Sequence, residues 1–379
     1  MTNRLLRSCY LPVLLLVCIG WVVQAIAQER VAPDAVDLDT TLSLDRLTSQ
    51  LATKRVVFVG ETHDRYDHHL NQLEIIKRLH HLDPNLAIGV EYFQQPFQAQ
   101  VDDYIEGRTT EKEFLRATEY FVGWGYDYRL YAPIFRFARE QRIPVRALNV
   151  PIGLASAVAK SGIAGLSAGQ RTYLPKEIGP ADEAYKSRLR EAFAEHKTTK
   201  PDAFDHFVEA QLVWDEGMAE SAATYLTGHP GRKMVILAGA GHVVFGTGIP
   251  KRLERRTNAT YAIVLNSGED LEPHMADYLL LTKKQELPPA GVLGISLDVN
   301  GGEAQIRSVN RGEAAEKAGL HKGDVVLEID GQKVNKIADV RVALWDKKPG
   351  DHVQVTVRSK RAKSPRTLDI ELTAPSKGP

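Results

Sequence analysis

Between residues 42 and 282, short and nearly continuous apolar runs alternate with stretches of helical periodicity. Short runs that are apolar on both faces are typical of strands in a parallel sheet that helices bury from both sides. The sequence therefore predicts an α/β domain whose mostly parallel sheet is covered by helices. The predicted strands are RVVFV (55–59), NLAIGV (85–90), IPVRAL (143–148), KMVILA (233–238) and TYAIVL (260–265).

Polar residues follow each of these predicted strands. The first runs into GETH, the second into Glu91, the third into Asn149, the fourth into GAGH at Gly239 to His242, and the fifth into Asn266. In an open parallel sheet, ligands bind in the crevice beyond the carboxyl ends of the strands. We therefore expect these side chains to border a functional site.

The side chains at the strand ends suit two kinds of chemistry. His63, Glu91 and His242 supply two imidazoles and a carboxylate, a ligand set that fits a divalent metal such as Mn, Co or Zn and leaves positions open for water or substrate. Glu61 can then serve as a general base or as a carboxylate that supports a ligand. The competing interpretation is that these residues cap helices and fill turns.

Two further patterns are ambiguous. His68, His69, His80 and His81 follow GETH on a helix, where solvated positions are the favoured interpretation. The aromatic stretch YFVGWGYDYRLYAPIF (120–135) can form one wall of a flat hydrophobic pocket or can pack the core beneath its loop.

Tyr225 and His229 lie four residues apart on a long predicted helix, so both face the same side. A tyrosinate there can ligate ferric haem, with the histidine as a supporting hydrogen-bond partner. The alternative is an ordinary helix end with an exposed histidine.

The charge balance argues against one class of function. With 48 basic and 48 acidic residues the formal net charge is zero, which argues against a nucleic-acid binder held by phosphate neutralisation.

The N-terminus has the pattern of a secretory signal peptide, with Arg4 and Arg7 before the apolar run LPVLLLVCIGWVV and a small-residue cleavage site ending at Ala27. Residues 1–27 are therefore predicted to be removed, and the mature protein is expected in the periplasm or cell envelope. The alternatives are lipidation at Cys18, which Val17 disfavours, and an uncleaved membrane anchor. Cys9 and Cys18 both lie in this segment, so any metal in the mature chain needs His, Glu, Asp or Tyr ligands.

A second, smaller domain follows. The charged and proline-rich tract at residues 283–290 is predicted to be a linker after the first domain (42–282), and residues 291–374 change to short alternating strands with glycine turns and one helix, IADVRVALWDK. Its size is common for a domain.

Four motifs occur in order in the first domain: VVFVGETHDRYDHH, GVEYFQQPFQ, FVEAQLVWDEGMAESAATYL and VILAGAGHVVFGTGIPKRL. Through these motifs the domain resembles the ChaN family of haem-binding uptake proteins, within a wider superfamily that includes Tiki and TraB metalloprotease-like proteins and erythromycin esterases. The resemblance to ChaN implies binding of b-type haem at the cell envelope in iron acquisition, often as cofacial haems between two subunits, hence a homodimer. The resemblance to Tiki implies a metal-dependent hydrolase that uses His63, His242 and Glu91.

The second domain contains the motifs GVLGISL and RGEAAEKAGLHKGDVVLEIDGQKV. Through them it resembles a PDZ domain of the kind attached to bacterial periplasmic proteases. Backbone amides around Leu293, Gly294 and Ile295 are expected to capture the carboxylate of a C-terminal peptide, and the exposed strand edge can accept an added strand. The apolar pocket is predicted to be lined by Ile295, Leu297, Val340 and Leu344. The alternative is a PDZ domain that only packs against its neighbour.

Together these patterns predict an exported haem-binding protein of the cell envelope that carries a PDZ module for a peptide or protein partner. A metal-dependent peptidase or esterase is the second hypothesis. A third is a binding protein whose superfamily site has lost its chemistry.

Overall fold

The computed structural model describes residues 40–194, 201–268, 272–300, 303–359 and 364–376. The predicted signal peptide, with Cys9 and Cys18, lies outside these residues. Within the described part of the chain, no helix is long and apolar enough to cross a membrane.

The first domain alternates strands and helices, as the apolar runs predict. Its elements are α1 (Leu44–Leu51), β1 (Val56–Glu61), α2 (Tyr66–Leu82), β2 (Leu86–Gln94), α3 (Gln98–Ile105), α4 (Glu111–Ala117), α5 (Tyr120–Gly123), α6 (Ala132–Gln141), β3 (Val145–Asn149), α7 (Leu154–Ser161), α8 (Ala168–Arg171), α9 (Glu183–Ala194), α10 (Ala203–Gly228), β4 (Lys233–Gly239), α11 (Ile249–Thr257), β5 (Tyr261–Asn266) and β6 (Tyr278–Leu280).

These strands form one sheet in the order β3-β2-β4-β1-β5-β6, and every pair in it is parallel. The five predicted strands are all present, so the predicted fold class is confirmed. The sixth strand, β6, was not predicted; it is only three residues long, and all three are half-buried.

Helices cover both faces of the sheet. Val57 and Val59 of β1 belong to the core that contains buried residues of α2 and α6. Val56 and Phe58 point the other way, into the core shared with α10 and α11. Because side chains alternate along a strand, a strand covered on both faces must be apolar at every position. All six residues of β1 are indeed buried, including Glu61 at its end.

The second domain is an antiparallel sheet with two helices. Its elements are β7 (Ile295–Asn300), β8 (Glu303–Val309), α12 (Ala314–Lys317), β9 (Val325–Ile329), β10 (Gln332–Lys333), α13 (Ile337–Leu344), β11 (His352–Arg358) and β12 (Arg366–Glu371). The sheet order is β12-β11-β9-β8-β7, with β10 paired to β9. The predicted linker contains no helix or strand, and Arg129 Nη1 donates a 2.7 Å hydrogen bond to the Pro288 carbonyl within it.

Helix α13 joins the second domain to the first. Val342 on this helix and Trp345 just after it belong to the hydrophobic core of the first domain. The Trp345 ring lies 5.0 Å from Tyr128 edge to face, and the Arg136 guanidinium lies over the Trp345 ring, 5.2 Å from its centroid. Residues Leu42–Pro379 accordingly form one compact unit.

Candidate functional site

The ends of the three central strands bring the predicted site residues together. Strands β1 and β4 are in register, with Glu61 opposite Gly239, and β2 flanks β4 on its other side. Glu61 closes β1, Glu91 lies near the end of β2, and a 3-10 turn after β4 carries His242. Glu61, Glu91 and His242 are buried, whereas His63 remains partly accessible.

Glu61 lies between two imidazoles. Its Oε1 is 2.9 Å from His63 Nδ1, and its Oε2 is 2.9 Å from His69 Nδ1. Burial by itself raises the pKa of Glu61, but the charge and hydrogen bonds of His69 and His63 outweigh it and lower the pKa to about 2. Glu61 is therefore a buried carboxylate at neutral pH and a poor proton acceptor in its own right.

His63 is the member of the site that faces the solvent. Its ring packs 4.9 Å from Trp124 and 5.0 Å from Tyr126, and its side chain is 24% exposed. Burial lowers the pKa of His63, but the hydrogen bond to Glu61 and the charges of Glu91 and Glu61 outweigh it, so the pKa is raised above 6.5. Glu61 thus orients this ring and stabilises its protonated form.

Glu91 and His242 form the second half of the site. Glu91 Oε2 accepts a 2.7 Å hydrogen bond from the Gly239 amide, and its Oε1 lies 3.4 Å from His242 Nε2. Burial raises the pKa of Glu91, but His242 and His63 together with the Gly239 amide outweigh burial, so the pKa lies below 4.5. This carboxylate is therefore charged although it is completely buried.

Asp215 holds His242 from behind, a contact that the sequence did not predict. His242 Nδ1 donates a 2.6 Å hydrogen bond to Asp215 Oδ1, and the Tyr185 hydroxyl donates another, also 2.6 Å, to Asp215 Oδ2. Burial lowers the pKa of His242, yet the charges of Glu91 and Asp215 raise it to about 10. Asp215 and its neighbour Glu216 are two buried acids between apolar stretches of α10, and that signal could have identified Asp215; Tyr185 left no comparable signal.

The prediction that His68 and His69 are solvated is wrong. Both are buried, because α2 begins directly after β1 and its first turns pack over the carboxyl edge of the sheet. His69 pairs with Glu61, as described above, and its Nε2 donates a 3.1 Å hydrogen bond to the His63 carbonyl. His68 Nδ1 accepts a 3.0 Å hydrogen bond from the Thr62 amide, and burial lowers the pKa of His68. The prediction holds for His81, which is exposed, while His80 is half-buried.

These residues border an open crevice of about 440 Å3 that Glu61, His63, Tyr126, Gln211 and His242 help to line. Within the described residues, no three His, Cys, Asp or Glu side chains are grouped so as to hold a metal ion. His63 Nδ1 is paired with Glu61, and the two ring nitrogens of His242 are paired with Glu91 and Asp215. As arranged, the crevice offers a partly exposed imidazole with a buried carboxylate behind it, next to a second, protonated imidazole.

A larger apolar pocket of about 610 Å3 adjoins the crevice, and Phe207 and Gln211 line both cavities. It lies beyond the ends of β2 and β3, between α7 and α10. Its walls include Trp124, Asn149, Ile152, Lys160, His206, Phe207 and Trp214.

Both interpretations of the aromatic stretch at residues 120–135 apply to parts of it. Tyr120, Tyr128 and Tyr131 are completely buried in the core. Trp124 and Tyr126 line the cavities.

Tyr225 and His229 lie at the opposite ends of the strands from the crevice. The Arg55 guanidinium, just before β1, donates to the carbonyl of Leu226 near the end of α10, so this helix end borders the beginnings of the strands. The two predicted ligand rings stack on each other at 4.2 Å, and the Tyr225 hydroxyl accepts a 3.0 Å hydrogen bond from Arg232. The structure therefore separates this pair from His63, Glu91 and His242.

The residues predicted to bind peptide share one groove. Leu293, Gly294, Ile295, Leu297, Val340 and Leu344 all line a cavity of about 1180 Å3 bordered by β7 and α13. Phe121 and Tyr126 of the first domain line the same groove. Tyr126 also lines the crevice, so the two cavities meet at this side chain.

Two family profiles match the chain. The family described as haem-binding uptake, Tiki superfamily, ChaN matches residues 47–253, more than half of the chain, and the PDZ domain family matches residues 291–372. Among solved structures, ChaN of Campylobacter jejuni, described as binding haem cofacially, superposes with a TM-score of 0.51 at 18% identity. The match covers 63% of this chain and 91% of that one, and it shows that the two share a fold.

Curated relatives match in parts. The protein RETICULATA-RELATED 5 of Arabidopsis thaliana, a chloroplastic protein, is 25% identical over 233 residues, which are 56% of this chain. The serine protease Do-like HtrB of Bacillus subtilis is 31% identical over 121 residues, which are 27% of this chain. The matches span only 31% and 26% of the length of these relatives. From the extent of the first family match, the chain belongs to the ChaN family of haem-binding uptake proteins in the Tiki superfamily, and it carries a PDZ domain after the ChaN domain.

Proposed function

We propose that this protein is exported to the cell envelope and binds haem there in haem or iron uptake or handling, while its PDZ domain binds a peptide or a protein partner. Membership of the ChaN family supports the proposed haem binding, and the signal-peptide pattern of residues 1–27 supports the proposed export. The observation that carries the proposal is the aromatic pocket beside the crevice.

The composition of this pocket suits a flat apolar macrocycle. Ligand pockets typically enclose about 300–1,000 Å3 and are lined mainly by apolar and aromatic side chains with a few polar groups. The pocket of about 610 Å3 falls within that range, and Trp124, Phe207 and Trp214 supply aromatic surface. Lys160 can neutralise a propionate. His206 supplies an imidazole, the ring that holds iron in many haem proteins.

Haem titration tests this proposal. Purified mature protein is mixed with haemin, and the Soret band is followed as haemin is added. We expect saturable binding that His206→Ala weakens by at least about tenfold, the size of effect typical when a metal site loses a supporting group. His81→Ala, which removes an exposed histidine elsewhere, serves as the matched control.

The pair predicted from the sequence, Tyr225 with His229, is the alternative ligand set. If Tyr225→Phe abolishes the Soret shift and His206→Ala does not, haem binds at the helix end rather than in the pocket. If the wild-type protein shows no saturable shift, the haem proposal fails.

A second candidate function is hydrolysis of an ester or amide, and the paired imidazoles and carboxylates in the crevice favour it. His63 would accept a proton from water at Nε2 while the water oxygen attacks the carbonyl carbon, with Glu61 stabilising the imidazolium that forms. The protonated His242 ring would stabilise the negative charge on the carbonyl oxygen. The proton on His63 then passes to the leaving oxygen or nitrogen as its bond to the carbonyl carbon breaks.

Hydrolysis of p-nitrophenyl acetate and of a fluorescent casein tests the second candidate, with metal-stripped protein and with added Mn, Co or Zn. His63→Ala is expected to lower the rate about 10²–10⁴-fold, the usual contribution of a general base. Because the pKa of His63 is raised above 6.5, the rate should increase with pH beyond that value. Rates that are equal in wild type, His63→Ala and His242→Ala under all these conditions would exclude this function.

A further inference from the structure

A buried carboxylate stands at the carboxylate-binding end of the PDZ groove. Glu313 precedes α12 and is 4% exposed. A Cβ atom built on Gly294 would lie only 2.1 Å from Glu313 Oε2, so this oxygen is in direct contact with the backbone of the loop around Leu293, Gly294 and Ile295. A glycine is required at this position because any side chain would collide with Glu313.

Glu313 is held in place by its own contacts. Its Oε1 accepts hydrogen bonds from the backbone amide of Ser376 at 2.8 Å and from the Ser376 hydroxyl at 2.5 Å, and its Oε2 accepts one from Asn310 Nδ2 at 3.1 Å. Burial raises the pKa of Glu313, but these hydrogen bonds outweigh it and keep the pKa below 4.5. At neutral pH the groove therefore carries a fixed negative charge at this end.

A free C-terminus requires the opposite electrostatic environment. Its carboxylate would have to lie beside the Glu313 carboxylate, and like charges brought together at an interface weaken binding. The remainder of the groove is basic, because the exposed side chains of Arg307, Arg311 and Arg341 line it. Arg307 is partly neutralised by Asp298 at 3.6 Å, whereas Arg311 and Arg341 form no ion pair among the described residues.

The edge of the sheet is open to an added strand. β7 is the last strand in the sheet order and pairs only with β8 among the described strands. Its other edge faces the groove and can pair with an extended peptide. At the Glu313 end the groove is bordered by Pro375 and Ser376, which are both exposed, so this end of the groove lies at the protein surface.

We propose that the PDZ groove binds an internal, extended peptide segment with apolar and acidic side chains, and that Glu313 makes it discriminate against free C-terminal carboxylates. The inference rests on the peptide-binding role proposed for this domain and is independent of haem. The proposed preference for internal segments is the opposite of the preference for free C-termini that the carboxylate-binding loop alone predicts.

Selection from a randomised peptide library tests the proposal. The full mature protein is offered the same library in three formats: with free C-terminal carboxylates, with C-terminal amides, and embedded between flexible flanking sequences. We expect enrichment of apolar and acidic sequences in the amide and embedded formats, with affinities for a selected peptide at least about tenfold higher than for its free-carboxylate form.

Two variants identify the cause. Glu313→Gln keeps the shape and removes the charge, so it should raise the affinity for the free-carboxylate form about tenfold and leave the amide form nearly unchanged. Glu371→Gln, an exposed position on β12, is the matched control and should change neither affinity.

Three outcomes contradict the proposal in different ways. If the wild-type protein prefers free carboxylates, Glu313 does not discriminate, although peptide binding itself stands. If a chain ending at Ala374 binds free carboxylates as well as amides, the tail residues Pro375 and Ser376 block the site and the charge of Glu313 does not. If no format is enriched, the peptide-binding role fails together with the inference.

Discussion

At the scale of single residues, the crevice is stabilised by charges that compensate one another. Glu61 is compensated by His63 and His69, and His242 by Glu91 and Asp215. A buried charge is tolerated only when it is paired and hydrogen-bonded, because removing it from water is costly. Protonation of the buried carboxylates or deprotonation of the buried histidines should therefore destabilise the fold.

The pKa directions set the pH window of this stabilisation. Glu61 has a folded pKa of about 2 against 4.5 in the unfolded chain, so its contribution is present above pH 4.5 and is lost as the pH falls toward 2. His242 has a folded pKa of about 10 against 6.5, so its contribution is present below pH 6.5 and is lost as the pH rises toward 10. We expect the greatest stability between these limits, measured as the urea midpoint across pH.

Asp215→Asn tests the alkaline side of this window. Without the Asp215 charge the pKa of His242 moves toward 6.5, so the loss of stability above pH 6.5 should shrink. Asp369→Asn, which removes the partner of the exposed His352, is the control and should leave the profile unchanged. An alkaline profile identical in wild type and Asp215→Asn would show that His242 is not responsible.

At the scale of elements, the end of β4 is where the strand approaches the site most closely. A Cβ atom on Gly239 would lie 2.8 Å from His63 Cε1 and 3.5 Å from Glu91 Oε2. Two residues later, a Cβ atom on Gly241 would have nothing within 4 Å. Of the two glycines of the GAGH motif, therefore, only Gly239 has to lack a side chain to leave room for the His63 ring.

Gly239→Ala is expected to displace the His63 ring from Glu61 and Trp124. The new methyl group should destabilise the fold by about 1–3 kcal/mol, as overpacking of a core usually does. The measurements are the urea midpoint and the NMR titration of His63, whose pKa should fall toward 6.5 as its hydrogen bond to Glu61 weakens. Gly241→Ala is the matched control, and an equal effect of both substitutions would contradict the steric argument.

At the scale of the whole molecule, α13 contributes both to the peptide groove and to the contact between the two domains. Its groove-facing residues Val340 and Leu344 line the peptide site, while Val342 and the adjoining Trp345 pack into the ChaN domain. Lys112 also donates to the Ala343 carbonyl, and Lys336 pairs with Glu119 at 3.1 Å. The PDZ domain is therefore docked on the ChaN domain, with its groove beside Tyr126.

Trp345→Ala should separate the two domains thermodynamically. Trp345 is 8% exposed, and truncating a buried tryptophan typically costs about 3–5 kcal/mol. Calorimetry is expected to show one unfolding transition for the wild type and two for the variant. Ile337→Ala on the adjoining helix α13, where the side chain is 40% exposed, should preserve the single transition. A single transition in Trp345→Ala would mean that other contacts suffice to couple the domains.

Five of the six strands of the first domain were predictable because burial on both faces requires unbroken apolar runs. The grouping of Glu61, His63, Glu91 and His242 was predictable because parallel strands end at one edge of the sheet. The roles of His69 and Asp215 were not, since their partners, Glu61 and His242, come from other elements. The burial of His68 was missed for a related reason: helical periodicity does not reveal which end of a helix packs over the sheet.

By itself, the sequence determined the α/β class, the positions of five strands of the first domain, the PDZ domain and the strand ends at which the site lies, because these follow from local apolar periodicity and motif order. Only the tertiary structure decided which carboxylate faces which imidazole, that Tyr225 and His229 lie at the opposite ends of the strands, and that Glu313 occupies the end of the peptide groove. Such pairings depend on side chains that are distant in the chain, and their pKa values depend on burial, which no local pattern specifies.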